Sequence, residues 1–163
     1  MGREKTSMLT EPLAAQDVPV LNRKSIYPQP FAARVAGRLK HRLGDHFGLS
    51  NFGVNLTELA PGSISALLHH HTSQDEFVYI VSGSPTLVLG EGEFQLRAGD
   101  CCGFKAGTGI GHQLVNRSEA PVLYLEIGDR RPGDYATYPQ DDLAFTQRAD
   151  GSWELTHKDG TSY

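Results

Sequence analysis

The feature that most constrains the fold is a series of short apolar runs, separated by turn residues, that extends from Leu49 to Gly128. Runs rich in Val, Ile, Leu, Tyr and Phe, interrupted roughly every 8 to 12 positions by Gly, Pro, Ser or Asp, are typical of β-strands. The predicted strands are residues 51–60, 64–71, 76–82, 85–90, 93–97, 101–104, 110–116 and 121–127. No amphipathic stretch of helical length interrupts them, so the pattern predicts an all-β protein, an antiparallel sandwich or barrel of the jelly-roll kind.

The segments on either side of this series have a different character. Residues 1–30 show little periodicity and contain four prolines, which predicts an extended N-terminal arm. Residues 31–43 fit a short helix followed by a strand. After an irregular polar segment at 129–142, the runs 145–147 and 153–156 flank Asp150-Gly151 and predict a C-terminal hairpin at an edge or on the outer face of the barrel. We therefore divide the chain into an arm with a short helix and strand (1–49), a barrel (50–128) and a C-terminal extension that packs on it (129–163).

The strand predicted before the barrel has a basic side. Arg38, Lys40 and Arg42 occupy alternate positions, so in a strand they share one face. Such a face can bind an anion. Charges on a strand more often form a solvated face, and that is the interpretation we adopt from the sequence.

Composition excludes several classes of partner. The 163 residues, 39% hydrophobic and 21% charged, suffice for one domain with a full core, so a metal ion would indicate function rather than a need for stability. The net charge of −4 gives no electrostatic footprint for nucleic acid. No run approaches the ~18 apolar residues of a membrane span, and the first five residues lack the apolar core of a signal peptide. These observations predict a cytoplasmic protein.

Three histidines and one glutamate carry the chemistry. His69 and His71 are alternate residues of a predicted strand, so their imidazoles point the same way while His70 points away. Glu76 enters an apolar strand face after a four-residue turn, where a carboxylate needs a cation to offset its desolvation. His112 opens a later strand and can close the site from the facing sheet.

This set suits one divalent transition metal ion: Zn²⁺, Mn²⁺, Fe²⁺, Ni²⁺ or Co²⁺. Four protein ligands leave places on a five- or six-coordinate ion for a substrate or water. The alternative is that His69 and His71 belong to a solvated loop or to the core. Four further side chains are considered as supports of a ligand or as lining of the cavity, although turn capping or core packing is the commoner role for such residues: Gln113, Asn116, Tyr79 and Tyr124.

A family resemblance favours the metal-site hypothesis. The stretch from Pro61-Gly62 through His69-His70-His71 and Glu76 to Gly83 resembles the first signature motif of the cupin superfamily. The stretch from Gly99 through His112 to Asn116 is similar to the second. Lys105 departs from the second motif, which usually has proline there, and one extra residue lies between Gly62 and His69. The resemblance implies a double-stranded β-helix with a metal held by His69, His71, Glu76 and His112.

The resemblance is strongest to compact bacterial cupins that are uncharacterised or sugar-phosphate-isomerase-like, which makes a small polar metabolite the expected substrate. Isomerisation would need a separate base inside the barrel, and the sequence identifies none. Two alternatives stay open: a cupin dioxygenase that uses iron or nickel, and a non-enzymatic cupin that binds or senses a small ligand. The extended arm and the tail predict a homodimer built by sheet extension.

Overall fold

The computed structural model describes residues 11–20, 25–147 and 152–163. In these residues a 3₁₀ turn at Ala15–Asp17 precedes the helices α1 (Phe31–Arg34) and α2 (Leu43–His46). The strands are β1 (Arg38–His41), β2 (Phe52–Leu59), β3 (His70–His71), β4 (Glu76–Ser82), β5 (Thr86–Leu89), β6 (Gly92–Gln95), β7 (Cys101–Phe104), β8 (His112–Val115), β9 (Val122–Asp129), β10 (Tyr135–Thr137), β11 (Ala144–Gln147) and β12 (Trp153–Thr156).

The strands form three antiparallel sheets. One has the order β1-β2-β9-β4-β7, the second β12-β11-β10-β3, and the third β6-β5-β8. Apart from the consecutive pair β1 and β2, neighbours in the first sheet are distant in sequence, as in a jelly roll, where each sheet collects strands from both halves of the chain. The all-β double-stranded β-helix expected from the sequence is thereby confirmed.

Most local predictions agree with the structure. A helix followed by a strand occupies 31–43 as α1 and β1, and β11 pairs with β12 as the expected hairpin. The hairpin's turn, including Asp150-Gly151, lies outside the described residues, as do residues 1–10 and 21–24 of the arm. The hairpin extends the sheet of β10 and β3, so it covers an edge.

Two predictions need correction. The strand expected at 64–71 is regular only at β3, because residues 64–69 run beside β8 through isolated bridges at Ile64 and His69. The segment 129–142 is not wholly irregular, since β10 lies within it. Ala136 in that strand and Tyr138 just after it are buried, and this apolar contact holds an otherwise polar segment against the barrel.

The core has two parts. One lies between the first and third sheets and includes Leu59, Ile80 and Tyr124 of the first sheet with Leu87 and Leu114 of the third. The other joins the arm, the barrel and the C-terminal extension. Its members are Tyr27, Phe31, Val35, Leu67, Ala136, Tyr138, Leu143 and Phe145. Both flanking segments thus share a core with the barrel.

Among the described residues, no helix combines the length and the apolar character needed to cross a lipid bilayer.

Candidate metal centre

The structure brings together the four side chains singled out as metal ligands. His71 lies on β3, Glu76 begins β4, His112 begins β8, and His69 directly precedes β3. A pair of backbone hydrogen bonds joins His69 to His112: the His112 N–H donates to the His69 carbonyl at 2.8 Å, and the reverse bond measures 3.3 Å. Two elements from different motifs are thereby locked side by side.

The three imidazoles converge on one oxygen of the Glu76 carboxylate. Oε2 of Glu76 lies 3.0 Å from Nε2 of His112, 3.4 Å from Nε2 of His71 and 3.6 Å from Nε2 of His69. The ligand atoms of His69, His71 and Glu76 all lie within 4.8 Å of one another. These three groups therefore form a cluster compatible with a metal ion, and His112 faces the same point.

The hydrogen bonds behind the rings decide which atoms face inward. Nδ1 of His69 donates to the Leu67 carbonyl at 2.8 Å, and Nδ1 of His71 donates to the Asp134 carboxylate. A neutral imidazole protonated on Nδ1 presents a lone pair on Nε2. Two nitrogen lone pairs and the buried Oε2 of Glu76 thus face one another. Among the described residues, no group other than these imidazoles pairs with that oxygen. Electron-rich atoms arranged in this way fit a cation and repel one another without it.

The ionisable groups of the site shift one another's pKa values. Burial opposes ionisation of Glu76, but the imidazoles of His112, His69 and His71 outweigh it and hold its pKa well below the usual value. Burial lowers the pKa of His112, and the Glu76 carboxylate only partly offsets this. His69 responds in the opposite direction, because the Glu76 carboxylate raises its pKa despite burial. Glu76 is therefore anionic at neutral pH.

Asp134 is a site residue that the sequence did not reveal. Its side chain is fully buried and accepts the Nδ1–H of His71. It also accepts the backbone N–H groups of Ser73, at 2.8 Å, and Gln74, at 3.2 Å. These donors and the His71 ring outweigh the effect of burial and lower the pKa of Asp134. A buried carboxylate behind an imidazole fixes the ring's tautomer and orientation, as in many metal sites.

Two aromatic rings hold the imidazoles in place. Phe104 stacks on His112 with ring centroids 3.7 Å apart and an interplanar angle of 3°. Tyr138 stacks on His69 with centroids 5.8 Å apart. Phe104 ends a predicted strand and Tyr138 lies in the segment expected to be irregular, so no local pattern marks either one.

The four residues open onto a cavity of about 920 Å³. The inward face of the first sheet forms one wall, with Lys40, Asn55, Tyr124 and Glu126 on it. Tyr27 and Tyr138, from outside the barrel strands, also line it. The volume suits a small polar molecule.

The other side chains considered from the sequence have separate positions. Tyr124 is buried and lines the cavity. Tyr79 lies on the opposite face of β4 from Glu76 and is 40% exposed, so the structure does not bring it into the cavity. Asn116 caps a turn: it donates to the Leu59 and Ala120 carbonyls and accepts from Ser118. Gln113 neighbours His112 on β8 but alternates with it, half-buried.

The fold and this cluster place the chain in a known class. The family model of the cupin domain matches residues 55–128. The chain belongs to the cupin superfamily, since a sugar phosphate isomerase from a cupin superfamily, from Silicibacter pomeroyi, is 42% identical to it, with a TM-score of 0.87 and coverage of 94% of this chain and 96% of that one. None of the curated proteins compared with the chain matches it.

Two further structures extend the comparison. A protein from Acidithiobacillus ferrooxidans, provisionally named a sugar phosphate isomerase, is 27% identical, has a TM-score of 0.78 and is covered over 97% of both chains. A polyketide cyclase from Streptomyces resistomycificus is 16% identical, with a TM-score of 0.59 and coverage of 74% of this chain and 79% of that one, and is similar in fold alone.

Proposed function

We propose that the chain is a metalloenzyme of the sugar-phosphate-isomerase type, which holds one divalent transition metal ion with His69, His71, Glu76 and His112. The observation that carries the proposal is the convergence of imidazole Nε2 atoms on the Glu76 oxygen, which lies 3.0 to 3.6 Å from them. The similarity over nearly the full chain to the protein from Silicibacter pomeroyi supports the type of reaction. We expect a small polar metabolite as substrate, and the ligands are compatible with Zn²⁺, Mn²⁺, Fe²⁺, Ni²⁺ or Co²⁺.

The bound ion would polarise a carbonyl or hydroxyl oxygen of the substrate and stabilise negative charge on it. Isomerisation also needs a base, and Glu76 is engaged with the ion. Glu126 supplies a second carboxylate on the inward face of the same sheet, where β9 pairs with β4. Lys40 forms an ion pair with Glu126, and Asn55 donates a hydrogen bond to it at 2.8 Å. Burial opposes ionisation, but these partners lower the pKa of Glu126, so it is anionic at neutral pH.

Glu126 would transfer the proton between two carbons. It removes the proton from the carbon beside the substrate carbonyl, and the C–H electron pair becomes the C=C bond of an enediolate while the carbonyl oxygen takes the charge. Glu126 then returns the proton to the former carbonyl carbon, and a proton moves between the two oxygens. The aldose thus becomes a ketose of the same composition with no other reactant.

The test is turnover in D₂O by metal-loaded protein with a panel of aldose phosphates, followed by NMR. We expect interconversion with deuterium at the former carbonyl carbon. Glu126→Gln should lower kcat by about 10²–10⁴-fold, whereas Glu58→Gln, on the outer face of the same sheet, should not change it. No turnover with any metal and any sugar phosphate would contradict the proposal. Oxygen consumption by iron- or nickel-loaded protein would favour the dioxygenase alternative, and binding without turnover the sensing alternative.

We also propose a homodimer. Large apolar side chains are exposed on the outer face of the first sheet, including Phe77 (38%) and Tyr79 (40%) of β4. The edge of β1 is partly occupied, because Val20 bridges to His41 there. We therefore place the contact between two outer faces rather than at an extended sheet edge.

A further inference from the structure

A basic residue of the arm enters the cavity. In β1, Arg38 pairs with Leu59 and Lys40 pairs with Thr57, and both partners are fully buried on the inward face of β2. Paired residues of antiparallel strands point the same way, so Arg38 and Lys40 point inward and line the cavity. The interpretation of this basic side as a solvated face is corrected by the register of β1.

Lys40 is matched by a carboxylate and Arg38 is not. Lys40 pairs with Glu126. Arg42 lies 3.6 Å from the Asp45 carboxylate, which also pairs with Arg130. Arg38 donates one hydrogen bond, to the backbone carbonyl of Ser65. Among the residues that the structure describes, no carboxylate lies within ion-pair distance of it. A guanidinium has five N–H donors, so most of the donors of Arg38 stay available to a ligand.

Two buried tyrosines, Tyr27 and Tyr138, line the same cavity as Arg38 and the candidate metal centre. The Tyr27 and Tyr138 oxygens are 3.3 Å apart, and the Tyr138 ring stacks on His69. In that pair one hydroxyl donates to the other, so one hydroxyl proton remains available to a ligand in the cavity.

We propose that Arg38, with the hydroxyls of Tyr27 and Tyr138, forms an anion subsite that takes the phosphate or carboxylate group of the substrate. The inference rests on the proposed function for the other end of the substrate, which lies at the metal. A planar guanidinium matches the paired oxygens of either anion, and a charge-assisted bond is stronger than a neutral one. A bound divalent ion with Glu76 adds one net positive charge to the cavity, and this favours an anionic substrate further.

The experiment measures anion binding to metal-free protein, so it does not depend on turnover. Inorganic phosphate and acetate are titrated into chelator-treated protein by calorimetry. We expect Arg38→Gln to weaken binding of the preferred anion at least tenfold. Arg97→Gln should leave it unchanged, because the Arg97 side chain is 87% exposed in a turn.

Each outcome decides a separate question. Tighter binding of phosphate than of acetate supports the subsite and a phosphorylated substrate, and the reverse order supports the subsite and a carboxylate substrate. Equal binding by wild type and Arg38→Gln, or an equal loss in Arg97→Gln, overturns the subsite. If Arg38→Gln does not fold by circular dichroism, Arg38→Lys replaces it and should weaken binding by loss of the paired donors; unchanged binding then overturns the proposal. Absent turnover with intact anion binding contradicts the proposed function and leaves the subsite standing.

Discussion

At the scale of single residues, the site combines ligands that sequence spacing reveals with supports that it does not. His69, His71 and Glu76 lie within eight positions, and strand alternation, a four-residue turn and the motif resemblance together predict that they meet. Asp134 follows His71 by 63 residues in a polar segment, so only the pairing of β10 with β3 brings it behind the ring. The prediction that the basic face with Arg38 is solvated is wrong for a related reason. Alternation groups side chains on one face without showing which face is inward.

Asp134→Asn tests the support of His71. The amide cannot accept the Nδ1–H and the neighbouring backbone N–H groups as a carboxylate does, so the ring loses its fixed tautomer. We expect metal affinity to fall by about 10–100-fold, measured by competition with a chromogenic chelator. Asp142→Asn is the matched control, since Asp142 pairs with His157 at 2.8 Å away from the site. Equal effects in the two variants would show that Asp134 does not act through the metal.

The proposed ligands also set a pH dependence. Histidine binds a metal in its neutral form, so protons compete with the ion as the pH falls through the range near 6.5. His69, whose pKa is raised by Glu76, should protonate before His112, whose pKa burial lowers. Affinity measured from pH 8 to pH 5 should fall by about tenfold per pH unit for each protonated ligand. A constant affinity over that range would exclude imidazole ligands.

At the scale of elements, turn chemistry and apolar runs are sufficient to place the regular strands of the barrel, although they miss β10 beyond it. The predicted 76–82 and 101–104 coincide with β4 and β7, because each alternates between a buried and an exposed face and ends at a turn. The stretch 64–69 has the same local composition. It forms only isolated bridges to β8 instead, Ile64 with Val115 and His69 with His112. Local pattern does not encode such non-local pairing.

Two turn glycines provide a test of the barrel's tight corners. Gly83 and Gly99 have φ values of +85° and +93°, a region that other residues enter at a cost of about 1–2 kcal/mol. A Cβ on Gly83 would approach the Pro121 carbonyl oxygen and the Val122 Cα at 2.9 Å, whereas a Cβ on Gly99 would meet nothing within 4 Å. In urea unfolding, Gly99→Ala should show only the conformational cost. Gly83→Ala should lose about 1–3 kcal/mol more through overpacking, and equal losses would mean that the corner relaxes freely.

At the scale of the whole molecule, the segments on either side of the barrel complete it. Tyr27 and Phe31 come from the arm and Leu143 and Phe145 from the extension, yet they share one buried cluster with Leu67 of the barrel. The arm supplies Arg38 and the extension supplies Asp134, so both contribute to the cavity or its supports. The division of the chain into three parts at residues 49 and 128 therefore stays a prediction, while one buried cluster contains residues of all three parts.

The outer face of the first sheet is the surface on which we expect two copies to meet. Beside Phe77 and Tyr79 it carries Leu39 (49% exposed), Phe52 (42%) and Val81 (41%). A two-fold contact sets a surface against itself, so an apolar face avoids the like-charge repulsion that a charged face would create.

Light scattering after gel filtration should therefore give about twice the chain mass of 17.8 kDa. Tyr79→Glu should give the monomer, because it places a charge at the centre of the contact without disturbing the inward face of β4. Phe94→Glu is the control: Phe94 is 52% exposed on β6 of another sheet, so that variant should remain dimeric. A wild-type monomer at micromolar concentration, or dissociation of the dimer by Phe94→Glu alone, would show that the outer face is not the contact.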